Sequence, residues 1–291
     1  MKTCISSYSF NRLLQSGEYT QLSLVKLVKE MGFDAIEFTD LIVPENMRKA
    51  DYATQIREEC DKFCLPVANY TVGAELLGCS DFDEEIARIC EQVDTAVILG
   101  AKGLRHDASG GFKGEERSFK SFEQALPILA KGCKAVTGYA ASKGVVTMVE
   151  NHGYFCQDSD RVEKLVAAVA DKNFGVLIDM GNFLCADEAP EFAVGRLASY
   201  AKHVHCKDFH LKSGRGVDPG NGFFRSRAGN YLRGSIIGHG DVPVLQCLSV
   251  LGMSGYNGYV SIEFEGMEEN LMAIEIGLNN LENYIELAEF C

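Results

Sequence analysis

The chain of 291 residues is 46% hydrophobic and 24% charged, which is typical of a folded globular protein and argues against a disordered or fibrous one. Its formal net charge of −13 disfavours binding to the phosphate backbone of a nucleic acid. The N-terminal sequence MKTCISSYSF becomes polar too soon for a signal-peptide core, and no apolar run approaches the ~18–20 residues of a membrane span, so we expect a cytoplasmic protein.

A short strand-like run followed by a helical pattern recurs along the chain. In the first half, strands are predicted at residues 3–7, 35–38, 66–70 and 103–106, and helices at residues 22–31, 47–63, 82–99 and 119–142. In the second half, strands are predicted at residues 145–150, 175–179, 203–207 and 260–264, and helices at residues 160–170, 192–200, 244–251 and 270–288. This alternation implies parallel strands joined by right-handed crossovers.

Eight strands alternating with eight helices predict an α/β fold, a closed (β/α)8 TIM barrel rather than an open doubly wound sheet. A dinucleotide-binding fold would also need a phosphate loop, and no G-x-G-x-x-G sequence follows the first strand. No linker marks a second domain, so residues 1–291 are expected to form a single domain. Residues 211–240 contain eight glycines and four arginines, and this long loop after the seventh strand is expected to be a lid or an interface.

The eleven cysteines do not suggest disulfides or a zinc site. Their number is odd, they are scattered from Cys4 to Cys291, and no C-x-x-C pair occurs. Secreted disulfide scaffolds, in contrast, are short and dense in cysteine. We therefore expect reduced thiols in a cytosolic protein.

Polar residues lie at the ends of the last four predicted strands. They are Glu150 and His152 on the fifth strand, Asp179 on the sixth, His203, His205 and Lys207 on the seventh, and Glu263 and Glu265 on the eighth. Side chains two residues apart share one face of a strand, and TIM-barrel active sites form at the C-terminal ends of the strands. These side chains are therefore expected to converge near the barrel axis.

Converging carboxylates require a compensating positive charge. Burying several unpaired carboxylates is very unfavourable, so either their pKa values rise or a metal ion neutralises them. A divalent cation is the simplest solution. Oxygen ligands with one imidazole suit Mn²⁺, Mg²⁺ or Co²⁺ better than the thiolate-preferring Zn²⁺, which stays an alternative. We expect one divalent ion, with Mn²⁺ as the first choice.

Several strings resemble the xylose-isomerase-like TIM barrel superfamily, in particular its sugar phosphate isomerase/epimerase branch. They are VENHG at 149–153, IDMGN at 178–182, HVHCKD at 203–208, GHGDVP at 238–243 and GYVSIEFEG at 258–266, with GFDAIEFTD at 32–40 resembling the second strand of that family. The branch includes ketose 3-epimerases, hydroxypyruvate isomerases and inosose dehydratases. The resemblance implies the barrel fold and a metal site.

Carried over residue by residue, the resemblance implies four metal ligands, namely Glu150, Asp179, His205 and Glu263. His205 is preferred to His203 because the ligand in the family immediately precedes x-Lys-Asp. Glu263 is preferred to Glu265 because the ligand follows the Ser-Ile run. Either choice could be displaced by two residues.

The resemblance also implies a mechanism. A divalent ion that holds a carbonyl oxygen and a neighbouring hydroxyl oxygen stabilises the enediolate formed when the substrate loses a carbon-bound proton. Glu150 and Glu263 would then act as acid and base on opposite faces of the substrate. Return of the proton to the same carbon gives epimerisation, and return to the adjacent carbon gives isomerisation. The leading hypothesis is a divalent-metal-dependent sugar or polyol isomerase/epimerase.

Two positions depart from the family pattern. Asn182 stands where many relatives carry a histidine that contacts the substrate, and His239 stands where relatives often carry an acidic residue. His152, two residues after Glu150, is a further candidate base, or else a residue of the rim. These residues lead to a second hypothesis, a metal-dependent lyase or dehydratase acting on inososes, 3-oxo sugars or 3-oxo glycosides.

Six residues are predicted to bind the substrate, namely His106, Asn182, Lys207, Arg225, Arg227 and His239. His106 is expected to line the pocket while Arg105 faces the opposite way. The loop arginines could instead contact solvent or a neighbouring subunit. The expected partner is a small-molecule carbohydrate, with no nucleic acid and no membrane, and barrels of this kind often form homo-oligomers.

Two other functions fit less well. Apurinic endonucleases share the superfamily barrel, but they hold several zinc ions with many histidines, whereas this chain has six histidines and a net charge of −13. A sugar-binding barrel without chemistry would not need two potential bases beside a metal.

Overall fold

Eleven strands and ten α-helices occur among residues 1–289, the part of the chain that the computed structural model describes. The strands are β1 Lys2–Ser6, β2 Ala35–Thr39, β3 Val67–Val72, β4 Gly103–His106, β5 Val146–Glu150, β6 Phe174–Asp179, β7 Ala201–Cys206, β8 Asp208–Lys212, β9 Phe224–Arg225, β10 Tyr231–Ser235 and β11 Tyr259–Ile262. The helices are α1 Asn11–Gln15, α2 Gln21–Met31, α3 Lys49–Lys62, α4 Phe82–Leu99, α5 Phe122–Ser142, α6 Ser159–Val169, α7 Asn182–Cys185, α8 Pro190–Leu197, α9 Val244–Met253 and α10 Asn270–Glu289.

Strands β1–β7 and β11 form a closed barrel. Each strand is parallel to both of its neighbours, and the order around the barrel is β1-β11-β7-β6-β5-β4-β3-β2. Each barrel strand overlaps one of the eight predicted strands, and a helix follows each of them before the next barrel strand or the end of the described chain. The predicted (β/α)8 TIM barrel is therefore confirmed.

The main hydrophobic core lies between the barrel and its helices. Alternate residues of the strands, such as Ile36, Phe38, Val149 and Ile178, are almost completely buried in this layer. Their neighbours in sequence face the barrel interior, where several are charged. The outer layer thus supplies the apolar burial that stabilises the fold, and the interior is free to hold polar groups.

The ends of the helices agree with local sequence signals. The Asp81 side chain caps α4 by accepting hydrogen bonds from the backbone N–H groups of Asp83 and Glu84. The same helix ends at Gly100, whose φ of 76° lies in the left-handed region that glycine adopts without strain. These signals fix the length of α4 and so the position at which β4 begins.

The segment predicted as a long loop after β7 contains regular structure. Strand β10 pairs antiparallel with both β8 and β9, and these three strands form a small sheet, here called the lid sheet. The expectation of a loop over 211–240 is therefore wrong in part. This sheet could not be predicted from the sequence, because the segment is rich in glycine and its strands pair across a long connection. Local sequence patterns do not indicate pairing between strands that are far apart in the chain.

The lid sheet is fixed to loops at the C-terminal end of the barrel. Asp187, in the loop after α7, accepts hydrogen bonds from Ser226 Oγ, from Asn230 Nδ2 and from the Ala228 N–H. On another side, Gly234 of β10 packs so closely on the backbone of Glu265 that a Cβ atom would lie 2.5 Å from its carbonyl oxygen. The sheet therefore spans the C-terminal end from the loop after β6 to the loop after β11.

The ten cysteines of the described residues are all free thiols, and Cys291 lies outside those residues. Nine of them are buried or partly buried, and Cys64 is exposed. Within residues 1–289, no helix combines the length and the apolar character needed to cross a bilayer.

Glu75, in the loop after β3, organises two of the loops at the C-terminal end. Its carboxylate accepts hydrogen bonds from the N–H groups of Leu77, Gly78 and Gly110 and from the Ser109 hydroxyl. Burial alone would raise the pKa of Glu75, but these hydrogen bonds outweigh it and lower the pKa below its ordinary value.

We expect Glu75→Gln to lower the free energy of unfolding by ~1–2 kcal/mol at neutral pH, because hydrogen bonds to a charged acceptor are lost in a partly solvated position. A carboxyl group with a lowered pKa in the folded state stabilises above the unfolded pKa of about 4.3, and this contribution disappears as pH falls through the folded pKa. Denaturant unfolding at neutral pH and at about pH 3 should show the difference between wild type and variant shrinking on acidification. The exposed Glu58→Gln is the control, and a difference independent of pH would contradict the assignment.

Candidate metal and acid/base site

Four predicted ligands lie together at the C-terminal end of the barrel. Glu150 and Asp179 end β5 and β6, His205 lies in β7, and Glu263 directly follows β11. One ligand atom of each lies within 4.8 Å of those of the others, and all four residues are buried. Parallel strands bring their ends to one edge, so the four residues, here called the carboxylate cluster, converge as the alternation predicts.

The free atoms of the carboxylate cluster fit a divalent cation. His205 Nδ1 lies 3.6 Å from Glu263 Oε2, and 3.9 Å from both Glu150 Oε1 and Asp179 Oδ2. His205 Nδ1 and Asp179 Oδ2 are buried without a well-aligned hydrogen-bond partner among the described residues. Buried polar atoms are normally satisfied, and an imidazole nitrogen among carboxylate oxygens is a donor set that Mn²⁺ or Mg²⁺ accepts.

Lys207 places a positive charge inside the cluster. Its Nζ lies 2.6 Å from Glu263 Oε2 and 3.1 Å from Asp179 Oδ2. Burial would lower the pKa of Lys207, but these two carboxylates raise it well above its ordinary value. Burial likewise opposes ionisation of Glu263, yet Lys207 and His205 hold its pKa well below the usual range. Lys207 thus neutralises part of the charge of the cluster.

Asp179 shows that this neutralisation is incomplete. Burial raises the pKa of Asp179 to about 6, with Glu150 and Glu263 adding to the effect and Lys207 opposing it. The three carboxylates of the cluster contact two cationic side chains, Lys207 and Arg105, and Arg105 is shared with Asp107. A divalent ion would add positive charge where burial disfavours the ionised carboxylates.

Arg105 faces the carboxylate cluster, and His106 does not. Arg105 Nη2 lies 2.7 Å from Glu150 Oε2 and 2.9 Å from Asp107 Oδ1. His106 is fully buried on the other side of β4, where its ring centroid lies 6.3 Å from that of Phe174. The predicted roles of Arg105 and His106 are therefore exchanged, because β4 has the opposite phase to the one assumed.

His152 forms a pair with a carboxylate that sequence reasoning missed. Its Nδ1 lies 2.9 Å from Asp107 Oδ1, and its side chain is 48% exposed. Burial disfavours protonation of this imidazole, but the hydrogen bond to Asp107 outweighs it and raises the pKa of His152. Arg105, Asp107 and His152 thus form a chain of contacts that extends from Glu150 to the exposed rim.

Two asparagines hold the acidic residues in place. The Asn151 side chain faces away from the cluster and exchanges two hydrogen bonds with the backbone of Asp179, at 2.8 and 2.9 Å. Asn182 Nδ2 donates to Glu150 Oε1 at 2.9 Å, and its backbone N–H donates to Asp179 Oδ1 at 3.0 Å. Asn182 therefore lies beside the predicted ligands, and its amide orients Glu150.

Glu37 of β2 contacts His205 through the ring nitrogen that does not face the carboxylate cluster. It was not among the predicted site residues. Its Oε1 lies 2.7 Å from His205 Nε2, and its Oε2 lies 2.8 Å from His203 Nε2. Burial would raise the pKa of Glu37, but the two imidazoles lower it below its usual range. The contact with Nε2 leaves His205 Nδ1 directed at the cluster. A charged residue within the apolar run AIEFT was the available signal.

We expect Glu37→Gln to weaken binding of Mn²⁺ by about 10- to 100-fold, since residues that orient a ligating histidine have effects of this size. Calorimetric titration with Mn²⁺ measures the affinity, and circular dichroism checks that the variant is folded. Glu91→Gln, an exposed substitution on α4, is the control. An unchanged affinity for Mn²⁺ would remove Glu37 from the site.

Three residues predicted to bind substrate lie elsewhere. Arg225 donates to the Tyr231 hydroxyl at 2.7 Å within the lid sheet, and Arg227 pairs with Asp158 at 2.9 Å. Both guanidinium groups are thus engaged in contacts that hold the lid sheet, and their role in substrate binding stays a prediction. His239 is exposed in a turn whose Gly238 packs against α10, so it lies on the outer layer.

Comparison with known proteins gives a family and several relatives. The family model described as xylose isomerase-like TIM barrel matches residues 25–290. An inosose dehydratase of Clostridium beijerinckii is 25% identical over 146 residues, which are 49% of this chain and 48% of that protein. The matched segment thus spans about half the length of that curated relative.

Two solved structures illustrate the shared fold. The probable 3-DHS dehydratase AsbF from Bacillus anthracis has a TM-score of 0.74 at 17% identity, covering 96% of this chain and 99% of the other. The 3-keto-D-glucoside 4-epimerase YcjR from E. coli has a TM-score of 0.68 at 16% identity, covering 91% of this chain and 94% of the other. At these identities, the likeness concerns the fold.

Proposed function

The chain belongs to the xylose isomerase-like TIM barrel family. We propose that it is a divalent-metal-dependent enzyme that removes a carbon-bound proton beside a carbonyl group of a carbohydrate. The leading reaction is isomerisation or epimerisation of a sugar or polyol-derived ketone. The observation that supports it is the convergence of Glu150 and Glu263 on the unsatisfied Nδ1 of His205. Two carboxylates from strands on different sides of one point could serve the two faces of a substrate.

The residues that would hold the metal are Glu150, Asp179, His205 and Glu263. When bound, the divalent ion would act as a Lewis acid that stabilises the negative charge developing on adjacent oxygens of the substrate. Mn²⁺ is our first choice from the donor set, with Mg²⁺, Co²⁺ and Zn²⁺ as alternatives.

The chain's own residues would manage the proton. Glu150 is oriented by Arg105 and by the Asn182 amide, so it presents a fixed carboxylate on one side. Glu263, held by Lys207 at 2.6 Å, presents the second carboxylate. One group takes the proton and the other returns it, and the carbon that receives the proton decides between epimerisation and isomerisation. Lys207 is in a position to hold a substrate oxygen beside Glu263.

A second candidate is a lyase or dehydratase acting on an inosose, a 3-oxo sugar or a 3-oxo glycoside. The specific observation that favours it is the His152–Asp107 pair, because an imidazole oriented by a carboxylate is a suitable base for proton abstraction near neutral pH. His152 lies at the half-exposed rim, where it could reach a substrate carbon that the two glutamates do not face. Elimination of water or an aglycone would then replace return of the proton.

The test is an incubation of the Mn²⁺-supplemented protein with ketoses, inososes and 3-oxo glucosides in deuterated water. Mass spectrometry and NMR report the carbon that exchanges its proton and the product that forms. An isomerase or epimerase gives exchange with a rearranged sugar of unchanged mass apart from deuterium. A lyase gives a dehydrated product or a released aglycone.

The variants His152→Gln and Asp107→Asn separate the two candidates. For the isomerase, exchange should survive in both variants, since the glutamates carry it. For the lyase, elimination should fall by about 10²-fold or more in His152→Gln and less in Asp107→Asn. Absence of exchange and of elimination with every substrate class would count against both candidates.

A further inference from the structure

A cavity of about 700 Å³ opens at the end of the barrel opposite the carboxylate cluster. It is lined by the first residues of four barrel strands, Val67, Gly103, Val146 and Tyr259. The carboxylate cluster, in contrast, lies where the strands end. The volume falls within the ~300–1,000 Å³ typical of small-molecule sites. We call this space the lower cavity.

Among the residues that line the lower cavity, Gly103 has no side chain and Asn69 is polar. TIM barrels ordinarily fill this region with layers of branched residues. At Gly103, a Cβ atom would lie 2.6 Å from Asn69 Oδ1 and 2.8 Å from Met148 Cε, so a larger side chain cannot close the space without displacing both. The glycine thus allows the polar Asn69 amide to form part of the cavity wall.

Two irregularities of the barrel border the same space. Between β2 and β3 the register passes from Ile36↔Val67 to Glu37↔Asn69, which leaves Ala68 unpaired. Between β6 and β7 it passes from Val176↔Ala201 to Leu177↔His203, which leaves Lys202 unpaired. Ala68 and Lys202 both line the lower cavity. Bulges of this kind redirect neighbouring side chains and occur at barrel rims and functional sites.

The floor of the lower cavity carries an unsatisfied acceptor. Asn69 is fully buried, and its Nδ2 donates to Glu37 Oε2 at 3.2 Å and to Thr71 Oγ1 at 3.3 Å. Those contacts orient the amide so that Oδ1 is left without a partner among the described residues. Buried amide oxygens are rarely unpaired, so a ligand hydroxyl is a fitting partner for this atom once the side chains packed around it, such as Met148, move aside.

The mouth of the lower cavity is positively charged although the whole chain carries −13. Lys102 and Lys202 are exposed at the mouth, and Arg57 is also present but pairs with Asp61 at 2.8 Å. Apolar walls are supplied by Leu65, Val146 and Met148. Two lysines above an apolar wall and a hydrogen-bond acceptor match a ligand with an anionic end and hydroxyl groups.

We propose that the lower cavity is a second small-molecule site, which takes a polyhydroxylated anion with its anionic group at Lys102 and Lys202 and a hydroxyl group on Asn69 Oδ1. Sugar phosphates and sugar acids share this chemistry. The site is separate from the carboxylate cluster and does not depend on the reaction proposed there. Asn69 contacts Glu37, which contacts His205, so an occupant hydrogen-bonded to Asn69 would lie three hydrogen bonds from His205.

The test uses the full chain with glucose 6-phosphate and gluconate as probes and glucose as the uncharged control. Hydrogen–deuterium exchange locates the probe, since peptides covering residues 65–69 and 100–103 report the lower cavity and peptides covering 150–155 report the other end. We expect protection of the first set by at least one anionic probe. Protection confined to 150–155, or no protection at all, would overturn the proposal.

Two variants test the contacts. Lys102→Ala combined with Lys202→Ala should weaken binding of the anionic probes by about 5- to 10-fold, an effect that added salt should reproduce in the wild type. The matched control, Lys29→Ala combined with Lys134→Ala, removes the same charge from exposed helix positions and should not change the affinity.

Val146→Phe fills the lower cavity without touching the carboxylate cluster. It should abolish protection of residues 65–69 and 100–103 while Mn²⁺ binding at the other end persists. If protection there were unchanged in Val146→Phe, the probe would not be bound in the lower cavity and the proposal would fail. The persisting Mn²⁺ binding shows that the variant is folded.

Discussion

Replacing Glu150 or Glu263 with glutamine is expected to slow deuterium exchange at the substrate carbon by about 10²- to 10⁴-fold, the range associated with loss of a positioned acid or base. Glutamine keeps the size of the side chain and some of its hydrogen bonds, so the barrel should stay folded. It removes the carboxylate that receives or returns the proton. The rate of deuterium exchange is measured by NMR with whichever ketose, inosose or 3-oxo glucoside is active.

Two further variants sharpen this prediction. Glu84→Gln, an exposed substitution on α4, controls for the general effect of the change. Glu265→Gln addresses the alternative position, since Glu265 lies two residues after Glu263 and 3.9 Å from Lys207. If Glu265→Gln abolished exchange and Glu263→Gln did not, the assignment on this strand would move by two residues. Exchange at the wild-type rate in both Glu150→Gln and Glu263→Gln would refute the carboxylate mechanism.

Lys207→Met is expected to lower the free energy of unfolding of the metal-free protein by ~3–5 kcal/mol, the usual effect of removing one partner from a buried ion pair. The reason is that Asp179 and Glu263 would be left buried without the ammonium group between them. A bound divalent ion can replace that charge. Mn²⁺ should therefore raise the melting temperature of the variant by more than that of the wild type.

Thermal and denaturant unfolding with EDTA and with Mn²⁺ measure both effects. Lys212→Met, an exposed substitution at the end of β8, is the matched control and should behave as the wild type under both conditions. Equal stabilisation of wild type and Lys207→Met by Mn²⁺ would mean that the ion does not bind beside Lys207.

The convergence of the cluster could be read from the sequence because it depends on local alternation. Glu150, Asp179, His205 and Glu263 each lie at or near the C-terminal end of a predicted parallel strand, and the strands of a barrel present their ends at one edge. Residues next to them in the sequence face the opposite side of the strand, as the alternation of side chains requires. Asn151, one position after Glu150, faces the other way and binds the backbone of β6.

The residues that surround the cluster, and the lid sheet, could not be predicted from local alternation. Strand β4 has only four residues, GLRH, and such a short run fits either phase, so Arg105 and His106 were exchanged. Glu37 is 168 residues from His205, and no local pattern joins them. The lid sheet depends on pairing between β8 and β10, whose register links positions such as Phe209 and Gly234 across a glycine-rich connection.

The attachment of the lid sheet has a consequence for how this segment can move. Asp187 accepts three hydrogen bonds from the segment 226–230, and Arg227 adds an ion pair to Asp158, so these contacts must break together before the segment can swing away. Detachment that requires several contacts to break at once is slow and rarely populated. Movement of the segment 226–230 would therefore be a cooperative event rather than the continuous flexing of a loop.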